Sequence, residues 1–359
     1  MGGELAPARA ASKRLRLWLE AARVSETQDS VFDEVAAQIA ACQRPLLVGH
    51  VRADADCVGS LAAMALVLRD AGKEATVTAN SVLVPPRLLR LFAWAGVTPV
   101  QDPDVTSVDL VIALDTAITS RLNIVRGIAC LADLPIVVID HHITNERFGR
   151  WNYVDAEASS TSELIYHLLR RLDWPIPPMA ATLLYAGIYG DTDGFSLANT
   201  TPGSLTVAAK LAEAGAEIAE VCQRIDRSRT RSEFDLLRLI YDNTRLSEDG
   251  RVAWSTARHD EILATGCNHA DIDDQVSIPR SLEGADIAIL FSEGLPGSVR
   301  INIRGEGDVD VLPLAGVFGG GGHRRSAGTS IKNEPFDTVV ERVVGRAVAY
   351  LAERYPRQA

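Results

Sequence analysis

Three short apolar runs in this chain each end on a side chain able to hold a cation. Leu46-Leu47-Val48-Gly49 runs into His50, Leu110-Val111-Ile112-Ala113-Leu114 into Asp115, and Pro135-Ile136-Val137-Val138-Ile139 into Asp140-His141-His142. Continuous apolar runs of this length read as strands buried on both faces. Between them lie helical patterns. Over 58–71, Val58, Leu61, Ala62, Ala65, Leu66 and Leu68 recur at helical spacing, and Gly72 closes the pattern as a C′ glycine. Strands separated by helices imply βαβ units and a mainly parallel sheet, so the fold class is α/β. In such sheets ligands bind in the crevice at the carboxyl ends of the strands. Three strand ends carrying Asp or His therefore point to a metal site assembled from distant parts of the chain.

The same patterning divides the chain. Residues 1–28 stand apart, with Arg9, Lys13, Arg14, Arg16 and Arg23 around Leu15, Leu17, Trp18 and Leu19, and are expected to be a peripheral extension. Residues 29–199 form the strand-helix alternation, with strands at 46–49, 75–79, 108–114 and 135–139 and helices continuing at 161–173 and 179–189. Residues 200–246 read as a helical linker that starts at Thr200-Thr201-Pro202. In its second helix Phe234, Leu237, Ile240 and Tyr241 are expected to share one face. Residues 247–359 are expected to be a smaller α/β domain, with strands at 251–257, 285–291 and 298–304, a glycine cluster at 319–322 and a closing helix near 335–354.

Composition narrows the function classes. A net charge of −11 lacks the basic footprint of a protein that tracks long nucleic acid. It leaves room for a small phosphorylated ligand held by metals or a few local cations. The five cysteines are scattered without a CxxC pair, which favours reduced, buried thiols in a cytoplasmic protein. No apolar run approaches the roughly 18–20 residues of a membrane span.

Four segments carry the chemistry. His50-Val51-Arg52-Ala53-Asp54-Ala55-Asp56 places two aspartates at i and i+2, which in an extended loop project to one side while His50 reaches in from the strand end. By itself it also reads as a helix start with capping aspartates. Asp115 and Asp140-His141-His142 follow strands, and Gly190-Asp191-Thr192-Asp193-Gly194-Phe195 is an acidic turn after an apolar helix. All the donors are carboxylate or imidazole, with no cysteine among them, a set suited to manganese, magnesium or iron. Two metals roughly 3.5–4 Å apart with a bridging carboxylate are the usual arrangement for phosphoester hydrolysis.

The order HxxxDxD…D…DHH…D over about residues 30–200 resembles the DHH phosphoesterase superfamily. Val299-Arg300-Ile301-Asn302-Ile303-Arg304 followed by Gly319-Gly320-Gly321-Gly322-His323 is similar to the DHH-associated C-terminal domain. Together they resemble bacterial oligoribonucleases that degrade very short RNAs and dephosphorylate 3′-phosphoadenosine 5′-phosphate. The resemblance implies two divalent metals, Mn2+ first and Mg2+ second. His50 and Asp54 would bind one, Asp56, His141 and Asp191 the other, with Asp115 bridging. Asp140 would orient a histidine and His142 would touch the scissile phosphate. Arg304, Gly320, Gly321, Gly322 and His323 would hold substrate, in a cleft between the domains. Ala53 stands where many relatives carry proline, Ser326 replaces a common alanine, and Thr-Asp-Gly-Phe after Asp191 departs from Thr-Gly-x-Phe.

The second domain supports this independently. Along 299–304, Val299, Ile301 and Ile303 fall on one face and Arg300, Asn302 and Arg304 on the other, which can present a guanidinium to phosphate. The glycine run permits close backbone approach to an anion. His167, His259 and His269 read as surface or loop residues. The expected activity is hydrolysis of short oligoribonucleotides, linear dinucleotides or the bisphosphate nucleotide. A DHH-type inorganic pyrophosphatase and a non-catalytic nucleotide sensor are the rivals. Oligomeric state, a homodimer included, stays open.

Overall fold

The computed structural model describes residues 30–79, 84–267 and 272–356, which form two compact units. The first holds the described residues up to 79 together with Leu88–Val221; the second holds Cys222 onward and residues 84–87. The extension 1–28 and His269 lie outside the described residues.

The first unit opens with α1 (30–41), β1 (Pro45–Val48), α2 (Ala55–Asp70), β2 (Thr76–Thr78) and α3 (Pro86–Trp94). It continues with β3 (Leu110–Leu114), β4 (Ile136–Asp140), β5 (Trp151–Val154), α4 (Thr161–Arg171), α5 (Pro178–Asp191), α6 (Pro202–Glu213) and α7 (Ile218–Cys222). The five strands form an all-parallel sheet in the order β2-β1-β3-β4-β5. Leu46, Leu47 and Val48 of β1 and Val111, Ile112 and Ala113 of β3 have no exposure at all, as expected where helices cover both faces. The strand order reverses between β1 and β3, the place where an open parallel sheet forms its ligand crevice. His50 follows β1, Asp115 follows β3 and Asp140 ends β4, so three neighbouring strands deliver the motif residues to one edge.

Strand β5 was not anticipated, because Trp-Asn-Tyr-Val is too short and too polar to stand out. It pairs with β4 in register, Asp140 opposite Val154.

The second unit comprises α8 (Arg231–Asp242), β6 (Arg245–Leu246), β7 (Val252–Ala257), α9 (His259–Ala264), α10 (Ser277–Arg280), β8 (Ile287–Leu295) and β9 (Ser298–Gly305). After these come α11 (Leu312–Val317), β10 (Gly321–His323), β11 (Ser326–Lys332) and α12 (Phe336–Arg354). Its six-stranded sheet runs β10-β11-β9-β8-β7-β6, antiparallel except for the β7–β8 pair. Val299, Ile301 and Ile303 do share one face, buried under Val339, Val343, Ala347 and Leu351 of α12. Those four recur every fourth residue, the spacing of one helix face.

The expected face of α8 is buried only in part: Ile240 lies in the core and Leu237 packs against it half-buried. Phe234 and Tyr241 are 61% and 60% exposed, while Leu236 and Ile240 pack with Ala257, Ile262 and Leu290. Leu236 and Ile240 are themselves i and i+4, so two overlapping apolar stripes existed, and the facing sheet selected the aliphatic one. The helix starts on a capping box, Thr230 with Glu233. Helix α6 has the Thr201 cap its sequence promised, bonded to the Ser204 amide.

Candidate active site

The end of the first motif is helical where an extended loop was expected: the helix takes in Ala55 and Asp56. Asp54 is extended, but Ala55 already begins α2, and Asp54 is its N-cap, with Oδ1 accepting from the Cys57 amide at 3.0 Å. Capping uses one oxygen and leaves the other, Oδ2, 3.6 Å from His50 Nε2. One carboxylate thus caps the helix with one oxygen and turns the other toward His50.

Asp56 lies in the first turn of α2 and is 1% exposed. Its Oδ2 accepts from the Thr161 amide at 2.7 Å and its Oδ1 from the Ser162 amide at 2.9 Å, at the N-terminus of α4. Unpaired amides and the positive end of the helix dipole both favour a carboxylate there. Gly187 of α5 makes this possible, since any Cβ at that position would come within 2.7 Å of Asp56 Oδ1.

Asp115 stands at the centre. It is 2% exposed, with φ of 55°, a left-handed conformation that aspartate tolerates better than most residues. Its Oδ2 lies 3.3 Å from His50 Nε2, and its Oδ1 lies 3.6 Å from His141 Nε2. Thr161 Oγ1 donates to Oδ1 at 3.2 Å, whereas the buried Oδ2 has no hydrogen-bond partner. His141 Nε2 also approaches Asp191 Oδ2 at 3.7 Å. Asp191 is the last residue of α5 rather than part of the following turn, and Asn199 Nδ2 holds it by donating to its carbonyl at 3.0 Å and its Oδ2 at 3.2 Å.

The ring tautomers follow from the partners. His50 Nδ1 lies 2.8 Å from the Val51 carbonyl, which can only accept, so Nδ1 donates and the neutral ring presents the Nε2 lone pair to Asp54 and Asp115. The Arg121 guanidinium is farther from Nδ1, at 3.2 Å, and the shorter contact sets the tautomer. His142 Nδ1 donates to Asp140 Oδ1 at 2.7 Å, and Asn145 Nδ2 donates to the other oxygen of Asp140 at 2.5 Å. Asp140 thus fixes His142, the second histidine of the pair, and not His141.

The charges are crowded. Burial raises the Asp56 pKa well above the usual carboxylate range, and Asp115 and Asp191 raise it further. Burial likewise lifts Asp191 to about 6 against the pull of His141. At His141 burial opposes the imidazolium, but Asp191, Asp115 and Asp56 outweigh it and raise the pKa to about 9. Four carboxylates converging with two imidazoles, one buried oxygen among them lacking any donor, form a donor set that fits divalent cations.

Cys57, which the sequence reading leaves out of the donor set, also lies here: His50, Cys57 and Asp115 offer donor atoms within 4.8 Å of one another, as do Asp115, His141 and His142. Its position directly behind the Asp-x-Asp motif was the available signal.

Residues 45–188 match the DHH family, N-terminal domain. The chain is 31% identical over 315 residues to "Bifunctional oligoribonuclease and PAP phosphatase NrnA" of Thermus thermophilus, spanning 86% of this chain and 91% of that one. The chain belongs to the DHH family. A relative of the same name from Bacillus subtilis is 30% identical over 289 residues, covering 80% of this DHH protein and 88% of the relative. Its fold is that of an exopolyphosphatase-related protein from Bacteroides fragilis, with a TM-score of 0.79 at 22% identity over 90% of this chain and 96% of that one. RecJ from Thermus thermophilus, solved in complex with Mn2+, superposes with a TM-score of 0.54 at 16% identity, over 89% of this chain and 55% of RecJ.

In the second unit of this DHH protein, Arg304, Ser326 and His323 pair across β9, β11 and β10 in one register row. Residues opposite one another on antiparallel strands share a face, so Arg304 and His323 flank Ser326 on the same side. Arg304 Nη1 donates to the Ile303 carbonyl at 3.2 Å. Gly319 and Gly322 take φ of 71° and 138°, and Gly321 and Gly322 belong to β10. His167 is exposed on α4; His259 begins α9, its Nδ1 3.0 Å from the Gly294 carbonyl.

Proposed function

We propose that this chain is a metal-dependent phosphoesterase of the cytoplasm. Its substrates are short oligoribonucleotides, linear dinucleotides and 3′-phosphoadenosine 5′-phosphate. The observation that carries this reading is Asp115, whose two oxygens face two different imidazoles, His50 and His141, while one of them has no hydrogen-bond donor. A carboxylate so placed is built to be shared. The names of the relatives at 30–31% identity supply the substrate class.

His50, Asp54 and Asp115 would hold one divalent ion, and Asp56, His141, Asp191 and Asp115 the second. Manganese is the first choice and magnesium the second, given the oxygen and imidazole donors. Such ions would supply Lewis-acid stabilisation of the phosphoryl oxygens and lower the pKa of water, so that hydroxide is available at neutral pH to attack phosphorus. The protein does the rest. Asp140 holds His142 with Nδ1 protonated, so that Nε2 can face a phosphoryl oxygen or carry a proton at the leaving group. Arg304 offers a planar guanidinium to a phosphate, with His323 on the same face of its sheet.

The test is an activity panel on the full chain with Mn2+, comparing RNA dinucleotides, longer RNAs, the bisphosphate nucleotide and inorganic pyrophosphate. Turnover of dinucleotide or bisphosphate nucleotide is expected. Hydrolysis of pyrophosphate alone would replace this reading with a pyrophosphatase, and binding without turnover would replace it with a sensor.

A further inference from the structure

Cys57 is the side chain at this site that the phosphoesterase reading leaves unused. It occupies the first turn of α2 and has no exposure to solvent. An ordinary core thiol sits among apolar groups. Cys57 instead has its sulfur with donor atoms of His50 and Asp115, all three within 4.8 Å of one another. The backbone is shaped around it, because Gly49, the residue before His50, has no Cβ, and a Cβ there would overlap Cys57 Sγ. A second observation is independent of the cysteine: the buried Asp115 Oδ2, in the same cluster, has no hydrogen-bond partner.

We propose that Cys57 Sγ is a direct ligand at the metal position formed by His50, Asp54 and Asp115. This rests on the metal-dependent reading above and deepens it. That position then offers sulfur, nitrogen and oxygen, while the position at Asp56, His141 and Asp191 offers only nitrogen and oxygen. Small side-chain rotations bring such donors to metal distances of about 2.0–2.3 Å. On coordination the S–H bond breaks, the sulfur electron pair forms the bond to the metal, and the proton leaves to solvent. Thiolate selects softer ions, so the two positions differ in preference, the first turning toward Zn2+ or Co2+ and the second toward Mn2+.

The experiment uses the full chain, stripped with a chelator and reloaded with Co2+. The wild type is expected to show an intense near-ultraviolet band from sulfur-to-cobalt charge transfer. Cys57→Ser and Cys57→Ala are expected to lose the band while still binding cobalt by elemental analysis. X-ray absorption of the zinc-loaded wild type, which needs no substitution, is expected to show one sulfur neighbour at about 2.3 Å. Cobalt bound without the band, a band that survives both substitutions, or a zinc shell without sulfur overturns this inference alone. A chain that binds no metal overturns the metal-dependent reading with it.

Discussion

The backbone N–H of Thr161 donates to Oδ2 of Asp56 at 2.7 Å, tying the first turn of α2 to the N-terminus of α4. Asp56 therefore braces the fold as well as standing close enough to Asp115, His141 and Asp191 to feel their charges. Asp56→Ala leaves two buried amides without partners, each costing about 1–3 kcal/mol. Asp56→Asn retains one acceptor oxygen and is expected to recover part of the lost stability but not the metal. Denaturant melts paired with elemental analysis separate the two effects. Stability unchanged in Asp56→Ala would remove the bracing role.

Asp115 is best tested as Asp115→Asn, because asparagine also tolerates the φ of 55° that alanine would resist. Loss of a shared ligand should lower kcat by at least about 100-fold, the upper end seen for outer partners of a metal site. Circular dichroism should be unchanged. Near-normal turnover with normal metal content rules out the bridging assignment.

The paired histidines should behave differently. His141 points Nε2 at Asp115 and Asp191, so His141→Ala is expected to reduce bound metal. His142→Ala should lower turnover and leave metal content near normal, and Asp140→Asn should resemble it, since Asp140 holds His142. Equal metal loss in both histidine variants means the pair has been divided wrongly.

Metal uptake should be linked to protons. Without metal, the carboxylates around His141 raise its pKa from 6.5 to about 9, so the folded chain holds that proton at neutral pH. The group's contribution to metal-free stability is complete below about 6.5 and is lost as pH rises through about 9. Binding of Mn2+ at His141 must displace the proton, so apparent affinity should rise with pH over the same window. Titration at pH 7 in two buffers of different ionisation heat measures the release. No proton release at pH 7 contradicts the assignment of His141 as a ligand.

Substrate length should be short. Proteins that track long strands use a positive groove and stacked aromatics, whereas this chain carries a net charge of −11 and 6% aromatic residues. Dinucleotides should be cut far better than 20-mers, with kcat/KM only weakly dependent on salt because few counterions are released. Arg304→Lys should raise KM, since lysine cannot reproduce a planar two-pronged contact. Equal cleavage of 20-mers with steep salt dependence would require a long-strand exonuclease instead.

Much of this was legible in the order of residues. Apolar runs ending in His50, Asp115 and Asp140 announce buried parallel strands, because only strands covered on both faces tolerate such continuous hydrophobicity. The alternation Val299, Ile301, Ile303 likewise placed β9 against a core, and the period of two leaves no other reading. What the sequence alone could not decide was atom-level. Asp54 divides its oxygens between a cap and His50, and Asp56 is held by amides of α4 more than a hundred residues away. Both depend on how α2, α4 and α5 meet, which no local pattern encodes. The buried stripe of α8 was chosen by the sheet it packs on, since its sequence carried two. Cys57 comes beside His50 and Asp115 for the same reason: strand and helix ends converge only when the sheet orders β1 beside β3, and that long-range pairing is a property of the folded chain.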